Sequence, residues 1–213
     1  MNINEKTYPQ GNMELLTMFK NKTFDKELAL RCLQMITDIN QPILDWNGYS
    51  TTYLFEAESH NNVEAVRFLL ENGADPNFCY QDLISDCALS DLHFLYEEMV
   101  EESTQRLKIA KLFFEFGANP DIDYDFESLY DHVFWEVFND DTPHERDYLR
   151  KFLLLMIAYG GGKGISRYPQ AKFSEPIDTT RINEYELQLH LCEDGYHLEG
   201  HVINTDGIDI GSF

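Results

Sequence analysis

Five side chains near residue 200 have the chemistry of metal ligands. The segments that carry them alternate apolar and polar residues, as β-strands do, and Asp194-Gly195 between them is a favoured two-residue hairpin turn. This turn places five potential ligands on one face of a hairpin, with His190 opposite Glu199: His190, Cys192, His197, Glu199 and His201. Such groups can bind zinc, but their spacing matches no known zinc finger. We therefore expect a solvated strand face and no cofactor, and keep a zinc-binding hairpin as an alternative.

Two other motifs fail where their geometry is most demanding. The run Asp121-x-Asp123-x-Asp125-x-Glu127 resembles the start of a calcium loop, but its sixth and twelfth positions hold Phe126 and His132 instead of glycine and glutamate. The glycine-rich run 160–164 follows an expected helix and lacks the glycine and hydroxyl positions of a phosphate-binding loop. No nucleophile, base and orienting carboxylate recur at a recognisable catalytic spacing. We therefore expect a protein that is not an enzyme.

An internal repeat organises the middle of the chain. The run Thr52-Tyr53-Leu54-Phe55-Glu56-Ala57 precedes a second segment that ends in Leu69-Leu70-Glu71-Asn72-Gly73-Ala74-Asp75-Pro76-Asn77. These residues resemble one ankyrin repeat, in which T-P-L-H-x-A opens an inner helix and an outer helix runs into L-L-x-x-G-A-D-x-N. The glycine after the outer helix recurs at Gly117 and Gly160, at spacings of 44 and 43 residues, against about 33 in the ordinary repeat. A glycine there indicates a left-handed backbone just past each helix.

The resemblance implies a mainly α fold, an ankyrin-repeat helical solenoid with a C-terminal β-hairpin appendage. We expect about four helix pairs in residues 1–161, a linker in residues 162–182, and a hairpin in residues 183–213. Because an isolated hairpin is only marginally stable in water, we expect it to pack on the last repeat as a cap.

Composition narrows the choice of partner. The 213 residues carry a net charge of −22, which disfavours unaided binding to nucleic acid or to an anionic membrane.

The first residues lack the pattern of a signal peptide, and the longest apolar run, residues 152–158, is too short to span a bilayer. The four cysteines are scattered without a C-x-x-C pair, which favours reduced thiols. These features predict a cytoplasmic protein.

The function implied by the resemblance is protein binding, because ankyrin repeats commonly bind through the tips of their connecting loops and the concave inner-helix face. The repeat register predicts aromatic and acidic tips: Trp46, Tyr49, Phe78, Tyr80, Asp82, Asp123, Tyr124, Asp125 and Phe126. Residues 82–147 contain 18 acidic and four basic residues, a local charge of −14. Exposed rings beside carboxylates suit an arginine- or lysine-bearing partner. We expect a monomer that binds a basic protein; an immunity-type inhibitor of a basic bacterial toxin is an alternative.

Overall fold

The computed structural model describes residues 9–79, 87–93, 102–124, 127–139, 143–162, 172–191 and 198–212. About half of the described residues are helical, and some small β-sheets are also present. The contacts divide the chain into two compact units, Met1–Asp91 and Leu92–Phe213. No helix in the described part of the chain is both long and apolar enough to cross a membrane.

The first unit contains two pairs of short helices, each begun by a polar side chain. The pairs are α1 (Met13–Lys20) with α2 (Lys26–Leu33), and α3 (Tyr53–Ser59) with α4 (Val63–Glu71). The side chains of Asn12, Asp25, Thr52 and Asn62 accept hydrogen bonds from backbone N–H groups in the first turn of these helices. Such N-caps satisfy donors that the helix itself leaves without partners. A fifth helix, α5, spans Ala88–Asp91.

The second unit contains the longer helices. Helix α6 spans Ser103–Glu115, α7 spans Leu129–Asn139 and α8 spans Pro143–Ala158. Their apolar faces form a core that includes the fully buried rings of Phe113, Phe134 and Phe152. The α7–α8 pair, with 11 and 16 residues, is longer than the α3–α4 pair, with 7 and 9.

The glycines that recur in the sequence end the outer helices in the predicted way. Gly73, Gly117 and Gly160 have φ angles of 94°, 90° and 90°. In each case the next residue donates its backbone N–H to a carbonyl five positions earlier, as Ala74 does to Leu69 at 3.0 Å. The predicted left-handed positions are confirmed. Inner helices α1 and α3 end in the same way, with Lys22 and Asn61 in the left-handed position at φ 52°.

Asparagine and aspartate side chains connect loops that follow successive outer helices. In the first unit, the Asn40 side chain accepts a hydrogen bond from the backbone N–H of Asp75 at 2.8 Å and donates one to the carbonyl of Gly73 at 3.2 Å. In the second unit, the Asp121 carboxylate accepts one from the backbone N–H of Gly162 at 2.6 Å. These polar links connect loops that are more than 30 residues apart in the sequence inside each unit.

The C-terminal appendage is a four-stranded antiparallel sheet, which corrects the expectation of a two-stranded hairpin. Strands β6 (Glu186–Leu191) and β7 (Leu198–Ile203) pair with His190 opposite Glu199, and the turn at 194–195 lies outside the described residues. Strand β8 (Asp209–Ser212) pairs with β7, and β5 (Lys172–Phe173) pairs with β8. Strands of two and four residues are too short for alternation to reveal. A 3₁₀ helix, Thr179–Glu184, packs on α8 and crosses the expected boundary between the linker, residues 162–182, and the hairpin, residues 183–213.

Candidate functional site

Three short β-structures carry the loop tips that the sequence predicts. The first finger, residues 43–51, is formed by β1 (Ile43–Leu44) and β2 (Ser50–Thr51). The second finger, residues 79–87, is bracketed by an antiparallel bridge between Cys79 and Cys87. The third finger, residues 123–128, is formed by β3 (Asp123–Tyr124) and β4 (Glu127–Ser128). The first two fingers belong to the first unit and the third to the second unit.

A single carboxylate organises the tip of the first finger. Asp45 Oδ1 accepts hydrogen bonds from the backbone N–H groups of Asn47 and Tyr49, both at 2.8 Å. Gly48, in the left-handed conformation at φ 82°, completes the turn. The same arrangement recurs before β8, where Asn204 Oδ1 accepts from Asp206 and Ile208, each at 3.0 Å. The Asp45 side chain therefore acts as a structural part of the finger.

Two aromatic residues at the first finger have different environments. Tyr49 is 72% exposed. Trp46 is half-buried, because its ring packs edge-on against the His60 ring at 5.8 Å and lies under the Lys20 amine at 4.6 Å. This cation lies on a Trp46 face that an incoming cation would also use. Tyr49 is therefore the more accessible of the two rings.

The second finger has a thiol pair at its base. Phe78, just before the bridge, is half-buried, and the predicted tip residues Tyr80 and Asp82 lie outside the described residues. A hydrogen bond with Cys79 is the main cause that lowers the pKa of the Cys87 thiol to about 6, although burial of the thiol opposes this effect. Both cysteines are reduced. Since bridged residues of an antiparallel pair lie directly opposite each other, these two thiols are neighbours.

The third finger differs in part from the expected exposed tip. Asp123 is exposed as predicted, whereas Asp125 and Phe126 lie outside the described residues. Tyr124 is only 8% exposed, so the expectation of an accessible ring is wrong for this residue. Its ring packs against His132 at 4.6 Å and against His93 at 5.2 Å. Tyr124 therefore anchors the finger to the helical part of the unit.

A cluster of histidines and carboxylates lies at the base of the third finger, and the sequence did not predict it. It consists of His93, from the turn after α5, and of His132 and Glu136, one helical turn apart on α7. Glu136 approaches His93 Nε2 at 3.7 Å and His132 Nε2 at 3.4 Å with its two oxygens. Glu127, on β4, contacts His132 Nδ1 at 3.0 Å. Hydrogen bonds to Glu136 are the main cause that raises the pKa of His132, and Glu127 adds to them.

Basic side chains gather in a groove elsewhere in the second unit. The groove, about 370 Å³ in volume, is lined by α6, α8 and the 3₁₀ helix, and includes Lys108, Lys111 and Lys151. Lys151 lies 2.6 Å from Asp147, and Lys111 lies 3.8 Å from Glu115. Because these carboxylates offset two of the amines, the groove is not a strongly basic surface.

The predicted polar face of the hairpin is only partly within the described residues, since Cys192 and His197 lie outside them. The His190 and His201 rings are 6.4 Å apart, and Glu199 is exposed. His201 Nδ1 lies 2.7 Å from Asp209 Oδ2 on the neighbouring strand. One ring nitrogen of His201 is therefore engaged by a carboxylate within the sheet.

Comparison with known protein families identifies an ankyrin repeat at residues 51–80, which confirms the resemblance at the segment where the motif is most complete. This match spans α3 and α4 and ends with the first two residues of the second finger. Among curated proteins, none matches the chain significantly. Ankyrin repeats are generally protein–protein interaction modules, and repeat proteins of this type use extended surfaces for binding.

Proposed function

We propose that this chain is a non-enzymatic protein-interaction module that binds a basic protein partner through its fingers. The observation that carries the proposal is the first finger, in which a self-contained turn presents Tyr49 with 72% of its surface exposed. A rigid aromatic residue on a preorganised loop loses little entropy on binding. Tyrosine is also among the residues that most often dominate binding energy at protein interfaces.

Charge favours a basic partner. The chain carries −22 overall, and residues 82–147 contribute −14 of this charge. The third finger presents Asp123 in an exposed position. A field of this sign accelerates encounter with a cationic surface, and the acceleration falls as salt screens it. Arginine suits such surfaces because its guanidinium can stack on an exposed tyrosine ring, as at the first finger, or pair with an exposed carboxylate, as at the third.

The structure changes the role that we give to two of the predicted contact residues. Tyr124 supports the third finger from inside, and Trp46 already holds the Lys20 amine over its ring. We therefore assign the main aromatic contact to Tyr49 and the exposed charge to Asp123. The concave inner-helix face supplies further contact area.

Affinity capture with matched variants tests this proposal. The tagged full-length chain is compared with Tyr49→Ala and with Met35→Ala, whose side chain is apolar and 77% exposed but lies outside the fingers. Proteins captured by the wild-type chain are identified by mass spectrometry, and the affinity of each is measured with purified material. We expect Tyr49→Ala to weaken binding of the specific partner by about 10-fold or more, as for an interface hot spot, and Met35→Ala to leave it unchanged.

Salt dependence separates the charge argument from the aromatic one. Raising the ionic strength from about 0.05 M to about 0.3 M is expected to slow association with a basic partner, with a smaller effect on dissociation. Asp123→Asn is expected to reduce this salt dependence. Equal capture by the wild-type and Tyr49→Ala chains would contradict the role of the first finger, and a neutral or acidic partner would contradict the charge argument. A captured basic toxin whose activity the chain blocks would identify the immunity-type version of this function.

A further inference from the structure

The cluster at the base of the third finger has the composition of a metal site. His93, His132 and Glu136 each place one potential ligand atom within 4.8 Å of the others. We propose that these three side chains bind a divalent transition-metal ion, and that zinc is the ion that fits them best. The proposal rests on none of the residues assigned to partner contact, so it stands or falls separately from the function proposed above.

The distances between the ligand atoms agree with a zinc ion between them. Zinc binds histidine nitrogen at about 2.0–2.1 Å in tetrahedral geometry, which separates neighbouring ligand atoms by about 3.4 Å. Glu136 lies 3.4 Å from His132 Nε2 and 3.7 Å from His93 Nε2. All three potential ligand atoms lie within 4.8 Å of one another, so rotation of the side chains is needed to bring them all to bonding distance. His132 and Glu136 can both reach the ion because residues four apart lie on one face of a helix.

Glu127 provides the outer contact that metal-binding histidines usually have. Its carboxylate lies 3.0 Å from His132 Nδ1. A proton on Nδ1 donated to this carboxylate leaves the Nε2 lone pair directed at the ion. Glu127 lies on β4, which pairs with β3 and packs against α7. Glu127 is therefore a positioning residue for the site.

Burial and polarity favour a site with an open coordination position. The His93 side chain is fully buried, whereas those of His132 and Glu136 are 27% and 30% exposed. The Tyr124 ring contacts both histidines and forms an apolar wall beside them. Water can reach the ion from the Glu136 side and complete a tetrahedral shell. Two histidines and one glutamate with a water form a known type of zinc-binding set.

The ligand types select the class of metal. Calcium and magnesium prefer shells built of oxygen ligands, and here two of the three protein ligands are imidazole nitrogens. Imidazole suits zinc and the neighbouring transition metals. Zinc needs no redox partner and imposes little geometric demand of its own. It is therefore the appropriate probe.

The test is a zinc titration of the full-length chain after removal of metals with a chelator. Calorimetry or competition with a chromogenic chelator, at about pH 8 where an ordinary imidazole is neutral, gives the stoichiometry and the dissociation constant. We expect one zinc ion per chain with a dissociation constant below about 10 μM. Glu136→Gln and His132→Ala are each expected to weaken binding by at least about 100-fold, because they remove ligands. Glu127→Gln is expected to weaken it by about 10- to 100-fold, the range for outer contacts.

Controls separate this site from the hairpin and from loss of folding. The double variant His190→Ala/His201→Ala removes two histidines of the sheet face and is expected to bind zinc like the wild type. Glu145→Gln, on α8, removes an equal charge elsewhere in the unit and is also expected to have no effect. Circular dichroism checks that each variant keeps its helices. Cobalt in place of zinc gives visible absorption that reports the coordination geometry, and Glu127→Gln should alter this spectrum if it reorients His132.

Three results would overturn the proposal. The first is the absence of zinc binding below about 10 μM by the folded wild-type chain. The second is unchanged affinity in Glu136→Gln and His132→Ala. The third is loss of zinc in the hairpin double variant with retention in Glu136→Gln, which would place the ion on the sheet face instead.

Discussion

Replacing Asp45 by alanine would remove the acceptor that shapes the first finger while leaving its aromatic side chains in the sequence. Asp45 accepts two main-chain hydrogen bonds at 2.8 Å and one from the Asn47 side chain at 3.3 Å. A hydrogen bond to a charged group contributes about 1.5–3 kcal/mol when buried. Asn47 and Tyr49 are exposed, so water can replace the lost acceptor. We therefore expect the free energy of unfolding to fall by about 1–2 kcal/mol, which corresponds to a melting temperature lower by about 2–8 °C.

Asp45→Asn is the matched variant, because the turn before β8 uses Asn204 in the same position with the same two backbone contacts. Asparagine keeps an acceptor oxygen, so we expect this variant to lower the free energy of unfolding by less than about 1 kcal/mol, the net value of a neutral hydrogen bond. Thermal or urea unfolding gives the stability of each variant. Hydrogen exchange at the amides of residues 47 and 49 reports the turn directly.

We expect both stability and amide protection to decrease in the order wild type, Asp45→Asn, Asp45→Ala. Partner binding should follow the same order, since Tyr49 depends on the turn for its position. Unchanged amide protection in Asp45→Ala would refute the structural role of this carboxylate. If Asp45→Asn were as damaging as Asp45→Ala, the negative charge would matter more than the turn geometry.

Three further predictions concern stability and thiol chemistry. Gly73→Ala should lower the free energy of unfolding, measured with urea, by about 1–2 kcal/mol, because the backbone is left-handed there at φ 94° while a Cβ would meet nothing within 4 Å. Gly73→Asn should lower it by less. An equal or larger loss in Gly73→Asn would contradict the explanation by backbone strain. Burial raises the pKa of Glu56, so stability should fall as pH rises from the ordinary glutamate value of about 4.3 through the raised value. Glu56→Gln should remove this loss and be more stable than wild type at neutral pH, whereas Glu64→Gln, on an exposed position, should change little. Mild oxidation with diamide should form a disulfide between Cys79 and Cys87, because diamide takes two electrons and two protons from a thiol pair. Peptide mapping should then show a mass lower by two hydrogens. Cys79→Ser should prevent this change.

The helix ends and the finger positions could be predicted from the sequence because they depend on local chemistry. A left-handed backbone is predicted at Gly73, Gly117 and Gly160, and the observed φ angles confirm each prediction. The prolines at residues 76 and 120 follow the ends of α4 and α6 and disfavour renewed helix in the loops that lead to the second and third fingers. In both cases the energetic preference of one or two residues decides the local structure.

Burial at the third finger could not be predicted in the same way. Tyr124 was expected at an exposed tip, since its position in the repeat register is a loop position. Its ring is buried because His93, 31 residues earlier in the sequence, and His132 on α7 contact it. A contact of this kind depends on tertiary packing, which a repeat register does not contain.

The sequence indicates only two of the three members of the histidine–carboxylate cluster. His132 and Glu136 are four residues apart in a segment expected to be helical, which places them on one face. The third member, His93, lies 39 residues before His132 in the sequence, and no spacing rule connects it with α7. The sequence could suggest a pair, but only the structure supplies the third ligand.

The length of α8 and the packing of the C-terminal segment are related. A terminal repeat must cover the apolar surface that a following repeat would have covered. Helix α8, at 16 residues, offers Tyr148 and Leu155 to the groove that the 3₁₀ helix closes with Ile182, which is only 7% exposed. These two residues are seven positions apart and therefore lie on one face of α8. Helix α8 thus provides the surface on which the C-terminal 3₁₀ helix packs.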